Sequence, residues 1–463
     1  MTAPTDPHVS KGGTVLRNRN HRAPRNVVTI AVVAVSIALT AVTLTGNPPA
    51  GAAATGKATE IGVDTSSVHV AVVADVDNPI APGVFKGVVD GAQAAAKYVN
   101  ANGGVAGGRK LVVDFIDSHL NPTQVRNAVI TACGQDIAMV ATATALFSGL
   151  DDMVGCKDQA GAATGLPDIG AIVLGTPEAC AATSYPVTPA MIDCATVGKV
   201  PQTYRVQQGQ YAYFVAHNAK LKGPVIRTSD SPDATRSTDV SIKAAEHAGI
   251  TVTATPSQSN RDPQSAYTSI INQMKQDGSN FADNGLAAPG AILIRQEAAL
   301  QGLTDPKIVW SCTSACYDQQ QMAAAGSAMD GEYMPLGFLP FAEAKSNTTL
   351  AAFVKYVGKD NLSAFAVYGW TAVLAFREAA DTAAKGAGGL TRASLLTGLQ
   401  GLHAFDANGM TGKVDIGAKV PSSCFALIQW NKGAFHRVYP TKTGTFDCAT
   451  KNRYTFSADL TTP

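Results

Sequence analysis

Charge is scarce in this sequence of 463 residues: only 15% are Asp, Glu, Lys or Arg, and the 36 basic residues barely exceed the 35 acidic ones. The basic excess of a nucleic-acid binder is missing. With 46% hydrophobic residues the chain is also too apolar for disorder. Aromatics are few, at 6%. Catalytic fingerprints are missing too: there is no G-x-S-x-G elbow, no H-E-x-x-H, no G-x-x-x-x-G-K-[ST], and no complete G-x-G-x-x-G opening a helix after a strand. The His residues are scattered, with His69 on a predicted strand and His217 and His247 on predicted helices, and read as structural or exposed. No catalytic residue, metal or cofactor is therefore expected. A length prior of roughly 100 to 200 residues per domain predicts two or three domains.

What is present begins with a basic stretch holding Arg17, Arg19, Arg22 and Arg25, followed by an apolar run from Val27 to Leu44. This is the pattern of an export signal. At about 18 residues the run sits at the lower limit for spanning a bilayer, so cleavage and retention as an N-terminal anchor are both open. Ala50-Gly51-Ala52-Ala53-Ala54 offers a signal-peptidase site. The first cysteine is Cys133, so a lipoprotein is not expected. Residues 1–56 are assigned to leader or anchor plus linker, and the rest is expected outside the cytoplasm, at the cell surface or in a periplasm.

The cysteines form an even set, which suits an oxidising compartment. They fall into neighbouring pairs, Cys133 with Cys156, Cys180 with Cys194, Cys312 with Cys316, and Cys424 with Cys448, so local pairing is the economical reading. A metal site at Cys312 and Cys316 lacks further nearby ligands.

From Val68 the chain alternates short apolar runs with amphipathic segments. Strands are predicted at Val68–Ala74, Leu111–Ile116, Ile137–Ala141 and Ala171–Leu174, and helices at Phe85–Asn100, after Asn121-Pro122, and near Asp151–Ala163. A second cycle follows the long loop from Gly175 to Pro201. Its helices are predicted at Gln210–Leu221, Ala234–Ala248 and Gln264–Gln276, and its strands at Pro224–Thr228, Ile250–Ala254, Ala291–Ile294 and Ile308–Ser311. Helices Thr348–Val357 and Ser363–Ala384 and short strands Lys413–Ile416, Phe425–Trp430 and Phe435–Tyr439 complete the chain. The fold class is α/β, with two doubly wound, Rossmann-like lobes.

At this point the chain resembles the exported type I solute-binding proteins of the leucine/isoleucine/valine-binding kind. The resemblance rests on Asn100-Ala101-Asn102-Gly103-Gly104-Val105-Ala106-Gly107-Gly108-Arg109-Lys110-Leu111 followed by Asp117 and Pro122. Pro201-Gln202-Thr203-Tyr204-Arg205, Asp262-Pro263-Gln264-Ser265-Ala266-Tyr267 and Ala364–Ala379 with Tyr368 match in order, and Cys133 with Cys156 looks like a disulfide of the family. The resemblance implies two lobes joined by a three-strand hinge, at 68–200 with 336–411 and at 205–328 with 416–463. Crossings are expected near Val200–Arg205, Ala328–Leu336 and Thr411–Ile416. It further implies a monomeric clamp that closes on an amino acid or related carboxylate or amide and hands it to an ABC permease. Ligand sensing for a signalling partner is the alternative.

Ligands of open α/β sheets bind beyond the carboxyl ends of the strands, where helix N-termini suit a carboxylate. In lobe one this selects Phe85 and, from the resemblance, Ala145, Leu146, Phe147, Ser148, Gly175 and Thr176; Phe147 as a plain core residue is equally open. In lobe two it selects Asp230, Asp262, Trp310 and Thr313, with Asp233 as an alternative. An ammonium group would need one of these acids, because a buried charge without a partner is costly. Asp262 also reads as the cap of a helix starting at Pro263.

Overall fold

The apolar run beginning at Ser67 forms the central strand Ser67–Ala74 of a four-stranded parallel sheet in the computed structural model. Lys110–Asp117 flanks it on one side, and Ala138–Val140 then Asp168–Ile169 on the other. The structure describes residues 57–79 and 81–460, so the basic leader, the apolar run and the candidate cleavage site lie outside the described residues. Among the described residues no helix is long and apolar enough to cross a membrane.

From Val70 to Ala74 every residue is buried, and successive side chains enter different cores. Val70, Val72 and Ala74 pack with the helices Lys86–Ala101 and Ala364–Ala383, while Ala71 and Val73 pack with Pro122–Gln135. Small residues set how closely the first two helices approach. A Cβ on Gly91 would stand 2.0 Å from the Ala366 carbonyl oxygen, and one on Gly369 would stand 2.0 Å from that of Val88. Helix Pro122–Gln135 starts where its sequence says it should, with the Asn121 side chain accepting from the Thr123 and Gln124 N–H groups ahead of Pro122.

The second lobe carries a seven-stranded sheet in the order Ala434–Tyr439, Ala426–Asn431, Glu332–Leu336, Val309–Cys312, Phe281–Asn284, Val225–Thr228, Ser257–Gln258. Pairing is parallel from Glu332–Leu336 to Ser257–Gln258 and antiparallel beyond Glu332–Leu336. A separate antiparallel pair joins Gln202–Gln207 to Arg453–Ala458. The chain leaves the first sheet after the Val187 N–H bond to Gly170 and enters the second lobe through the Ile192–Tyr204 bridge. It returns past Leu336, where Phe338 bridges Thr411, and crosses again between Met410 and Cys424. The stretch Ala328–Leu336, near which a crossing is expected, lies inside the second sheet, where Glu332–Leu336 pairs on both sides, and the chain passes out of that sheet just beyond Leu336.

Each cysteine is bonded to its neighbour in sequence: Cys133–Cys156, Cys180–Cys194, Cys312–Cys316 and Cys424–Cys448. Several elements differ from the sequence reading. Ala291–Ile294 lies inside the helix Ala288–Leu300, and the strand is Phe281–Asn284 instead. A four-residue apolar run does not by itself distinguish a buried strand from a helix segment. The true strand was hidden because half of it, Asp283 and Asn284, is polar. The helix expected over Asp151–Ala163 is only Leu150–Val154, ended at Gly155 next to the Cys156 disulfide. The strand near Ala171–Leu174 is Asp168–Ile169, and Lys413–Ile416 makes only isolated bridges.

Candidate functional site

Between the lobes, against the crossing segments, lies a cavity of about 510 Å³. It is within the range of about 300 to 1,000 Å³ typical of small-molecule sites. Leu174, Val367, Tyr368 and Phe405 line it from the first lobe, and Gln210, Tyr211, Asp283, Ser311 and Thr313 from the second. Arg205, Phe338, Thr411 and Phe425 line it near the crossings. At one edge the lobes touch directly, the Ser314 and Tyr368 hydroxyls standing 2.7 Å apart.

Much of the lining is apolar, and its polar groups are mostly engaged within the protein. Arg205 Nη2 lies 2.5 Å from Asp193 Oδ2. Thr188 donates to the Ala171 carbonyl, Ser237 to that of Asp233 and Thr371 to that of Tyr368. The acidic group on the wall is Asp283, at the carboxyl end of its strand. It accepts a hydrogen bond from the Tyr211 hydroxyl at 2.6 Å. Burial pushes its carboxyl above the usual range, opposed by hydrogen bonds from Tyr211, Ser311 and the Asn284 backbone. Two lining atoms, Gln210 Oε1 and Thr411 Oγ1, are buried without a partner.

Of the residues selected from sequence, Thr313 lines this cavity, its Oγ1 accepting from the Ala315 N–H at 3.3 Å. The structure places the others elsewhere. Phe85 is buried in the first lobe, edge-on to Phe365 with centroids 5.7 Å apart. The Ala145 N–H donates to Asp75 at 2.8 Å and the Ser148 hydroxyl to the Pro122 carbonyl. Phe147 packs under the first sheet and Leu146 is exposed. Asp230 gathers the Ser259 hydroxyl and the Asn260 backbone and side-chain amides, closing a loop of its own lobe. Asp262 accepts from the Ser259 N–H at 2.7 Å and caps no helix, because the helical turn begins one residue later with Pro263 at its N-cap. Trp310 is buried under the Arg295 guanidinium, 4.6 Å from its ring centroid, and lines a second cavity of about 390 Å³ within the second lobe.

Gly175 and Thr176 open the short helix Thr176–Ala179 and meet the other lobe, since Arg236 Nη2 donates to Thr176 Oγ1 at 3.0 Å. Arg236 is also paired with Asp233. Behind this contact Glu178 is buried with both carboxyl oxygens unpartnered, and burial together with Asp168 and Asp233 pushes it well above the usual range. Asp168, holding the Thr142 and Ser184 hydroxyls, is raised by burial to about 6. Burial lowers Lys419, which donates to the Ala181 carbonyl, to about 8.

Sequence reasoning missed Asp283, Tyr211, Gln210 and Thr411 as lining residues. Only the strand-end rule pointed toward Asp283, and applying it required the strand Phe281–Asn284.

The family model described as periplasmic binding protein matches residues 67–434. Among solved structures, the chain is similar to an ABC transporter substrate-binding protein of Aeropyrum pernix, 18% identical, TM-score 0.65, covering 83% of this chain and 97% of that one. It is also similar to a fatty acid ABC transporter substrate-binding protein of Thermomonospora curvata, 16% identical, TM-score 0.63, with coverage of 83% and 97%. A leucine-binding protein of Thermotoga maritima is 14% identical, TM-score 0.60, with coverage of 80% and 97%. No curated protein sequence matches the chain. The match over 67–434, with two α/β lobes enclosing a cavity, makes this chain a member of the periplasmic binding protein family, with the type I fold.

Proposed function

We propose that the chain, exported from the cytoplasm, captures a small molecule in the interlobe cavity and delivers it to an ABC permease. The observation that carries this reading is the cavity of about 510 Å³ walled by both lobes. A ligand touching both walls favours the closed arrangement over the open one, and contacts from one lobe alone do not. A permease that reads the closed form then receives only loaded protein. The chain acts by binding and release, with no chemical step. The family resemblance points to an amino acid or a related carboxylate or amide; the wall supports a ligand with a substantial apolar body, because Leu174, Val367, Phe338, Phe405 and Phe425 supply much of it.

Native mass spectrometry of the purified exported chain identifies any retained molecule, and small-angle scattering before and after its removal reads closure. The expected result is a larger radius once the ligand is removed. An unchanged radius would remove the clamp, and binding that survives Thr313→Trp, which plugs the cavity wall, would remove the site.

A further inference from the structure

The loop after strand Val309–Cys312 belongs to the second lobe by chain order, since it leads through the helix Gln319–Ala325 to another strand of the same sheet, Glu332–Leu336. Its contacts reach the first lobe. The Tyr317 carbonyl accepts from the Ala364 N–H at 2.9 Å, and Asp318 bridges Ser363 beside it. The Tyr317 hydroxyl accepts from the Phe341 N–H at 2.8 Å. Each donor is the first residue of a helical segment, Ala364 of Ala364–Ala383 and Phe341 of the turn Phe341–Ser346, where an N–H has no partner within its own helix. Tyr317 thus satisfies these two orphan donors, one with its backbone and one with its side chain.

The ring between the two bonds is 1% exposed. Its centroid lies 4.5 Å from that of Phe341 and 5.7 Å from that of Phe338, both beyond the returning crossing, and 4.3 Å from that of Phe435 on the second sheet. Tyr317 and Met322 share one buried cluster with Phe353, Val367 and Trp370 of the first lobe, so apolar core is continuous from lobe to lobe here. The Cys312–Cys316 disulfide ties the residue before Tyr317 back to the end of its strand. The Thr176–Arg236 contact is of another kind, polar and partly exposed, so that water can replace either partner. Parting the lobes at Tyr317 would instead bring a buried ring and its apolar neighbours to water.

Taking the lobes as the moving clamp proposed above, we infer that Tyr317 makes a fourth, non-covalent junction between them, beside the three chain crossings, that stays joined when the cleft opens. Thr313, Ser314, Phe338 and Tyr368 line the cavity near this junction, and the Ser314 and Tyr368 hydroxyls, 2.7 Å apart, carry it to the cavity edge. This part of the wall then keeps its shape in the empty protein, and binding has no ordering cost there. Opening is confined to walls away from Tyr317, the Thr176–Arg236 contact among them.

Hydrogen exchange at single amides of the mature, dialysed protein tests the junction, with scattering before and after dialysis to show whether the cleft has opened. The Ala364 and Phe341 amides are expected to exchange about a thousandfold or more slowly than free amides, in the range of the strand Ser67–Ala74, because only unfolding of the shared core releases them. A larger radius with both amides slow is the expected result. A larger radius with either amide near the free rate would overturn the junction and leave the clamp standing. An unchanged radius would overturn the clamp and the junction's part in it, whatever the amides do. Tyr317→Phe removes one acceptor and keeps the ring, so exchange at Phe341 should quicken by up to about tenfold while Ala364 stays protected. Unchanged exchange at Phe341 in that variant would overturn the part assigned to the hydroxyl. Because the amides of the unmodified protein decide the junction itself, the test stands whether or not the variant folds.

Discussion

Asp75 and Asp283 stand at comparable places, each buried at the carboxyl end of a central parallel strand, one in each lobe. Asp75 accepts from the Ser118 hydroxyl at 2.6 Å, the Leu120 N–H at 2.9 Å and the Ala145 N–H at 2.8 Å. It thereby ties two strand-end loops of the first lobe to the sheet and closes that rim over itself. Asp283 takes its donors from side chains and its own strand end, no loop folds over it, and it faces the cavity. An acid at a strand end thus faces the cavity only where the surrounding loops leave it uncovered. In the loop Ala145–Ser148 the Ala145 N–H and the Ser148 hydroxyl are likewise taken up within the first lobe, by Asp75 and by the Pro122 carbonyl.

The most severe test of this contrast is Asp75→Ala. It strips three donors of their acceptor, at about 1 to 3 kcal/mol for each group left buried and unpaired, so a loss of at least about 3 kcal/mol is expected. Denaturant unfolding should register it, with faster hydrogen exchange at Leu120 and Ala145. Asp283→Ala should cost clearly less, since it also removes a buried charge without a cation. Equal losses would mean that both acids serve the fold alone.

A second prediction probes the contact between the lobes through Glu178. Its carboxyl is raised in the folded chain, so its contribution is fully present below the ordinary carboxylate pKa and is lost as pH rises through the raised value. Asp168, raised to about 6, acts in the same direction. Stability should therefore fall between about pH 4.5 and neutrality. Glu178→Gln should flatten part of that slope. It should also stabilise the protein at pH 7, where the buried carboxyl is disfavoured relative to a neutral amide. Thermal unfolding across pH decides it, and an unaltered slope would assign the dependence to other groups.

The smallest expected effect is at Arg236. Replacing it with Met removes the donor to Thr176 and the pair with Asp233, both partly exposed, so its contribution should be at most about 1 kcal/mol and should shrink with salt. Scattering of the ligand-free variant should show a modestly larger radius at low salt. A large loss of stability would mean that the lobes are held together by this contact more than by a ligand.

Much of the architecture was legible in residue order. Strand Ser67–Ala74, helix Thr348–Val357 and the capped start at Asn121-Pro122 follow from period, run length and turn chemistry, all local properties. The cysteine pairing was legible for the same reason, each partner being its neighbour in sequence. The site was far less so. Asp230 and Asp262 looked available because their loops are polar, yet Asp262 is engaged by Ser259 of its own loop and Asp230 by Ser259 and Asn260 of the neighbouring strand-end loop.

Residue order alone carries the α/β alternation, the disulfide-bonded character and the family, because hydrophobic period, cysteine spacing and the Asn100–Leu111 motif are written along the chain. Which strand-end groups face the cavity emerges only when the chain is folded. Asp283, Tyr211 and Gln210 meet Thr411 and Phe405 across long stretches of chain. Whether an acid there is covered or open depends on loops contributed by other segments, as the Ala145 N–H covers Asp75, and no periodicity within one segment encodes that.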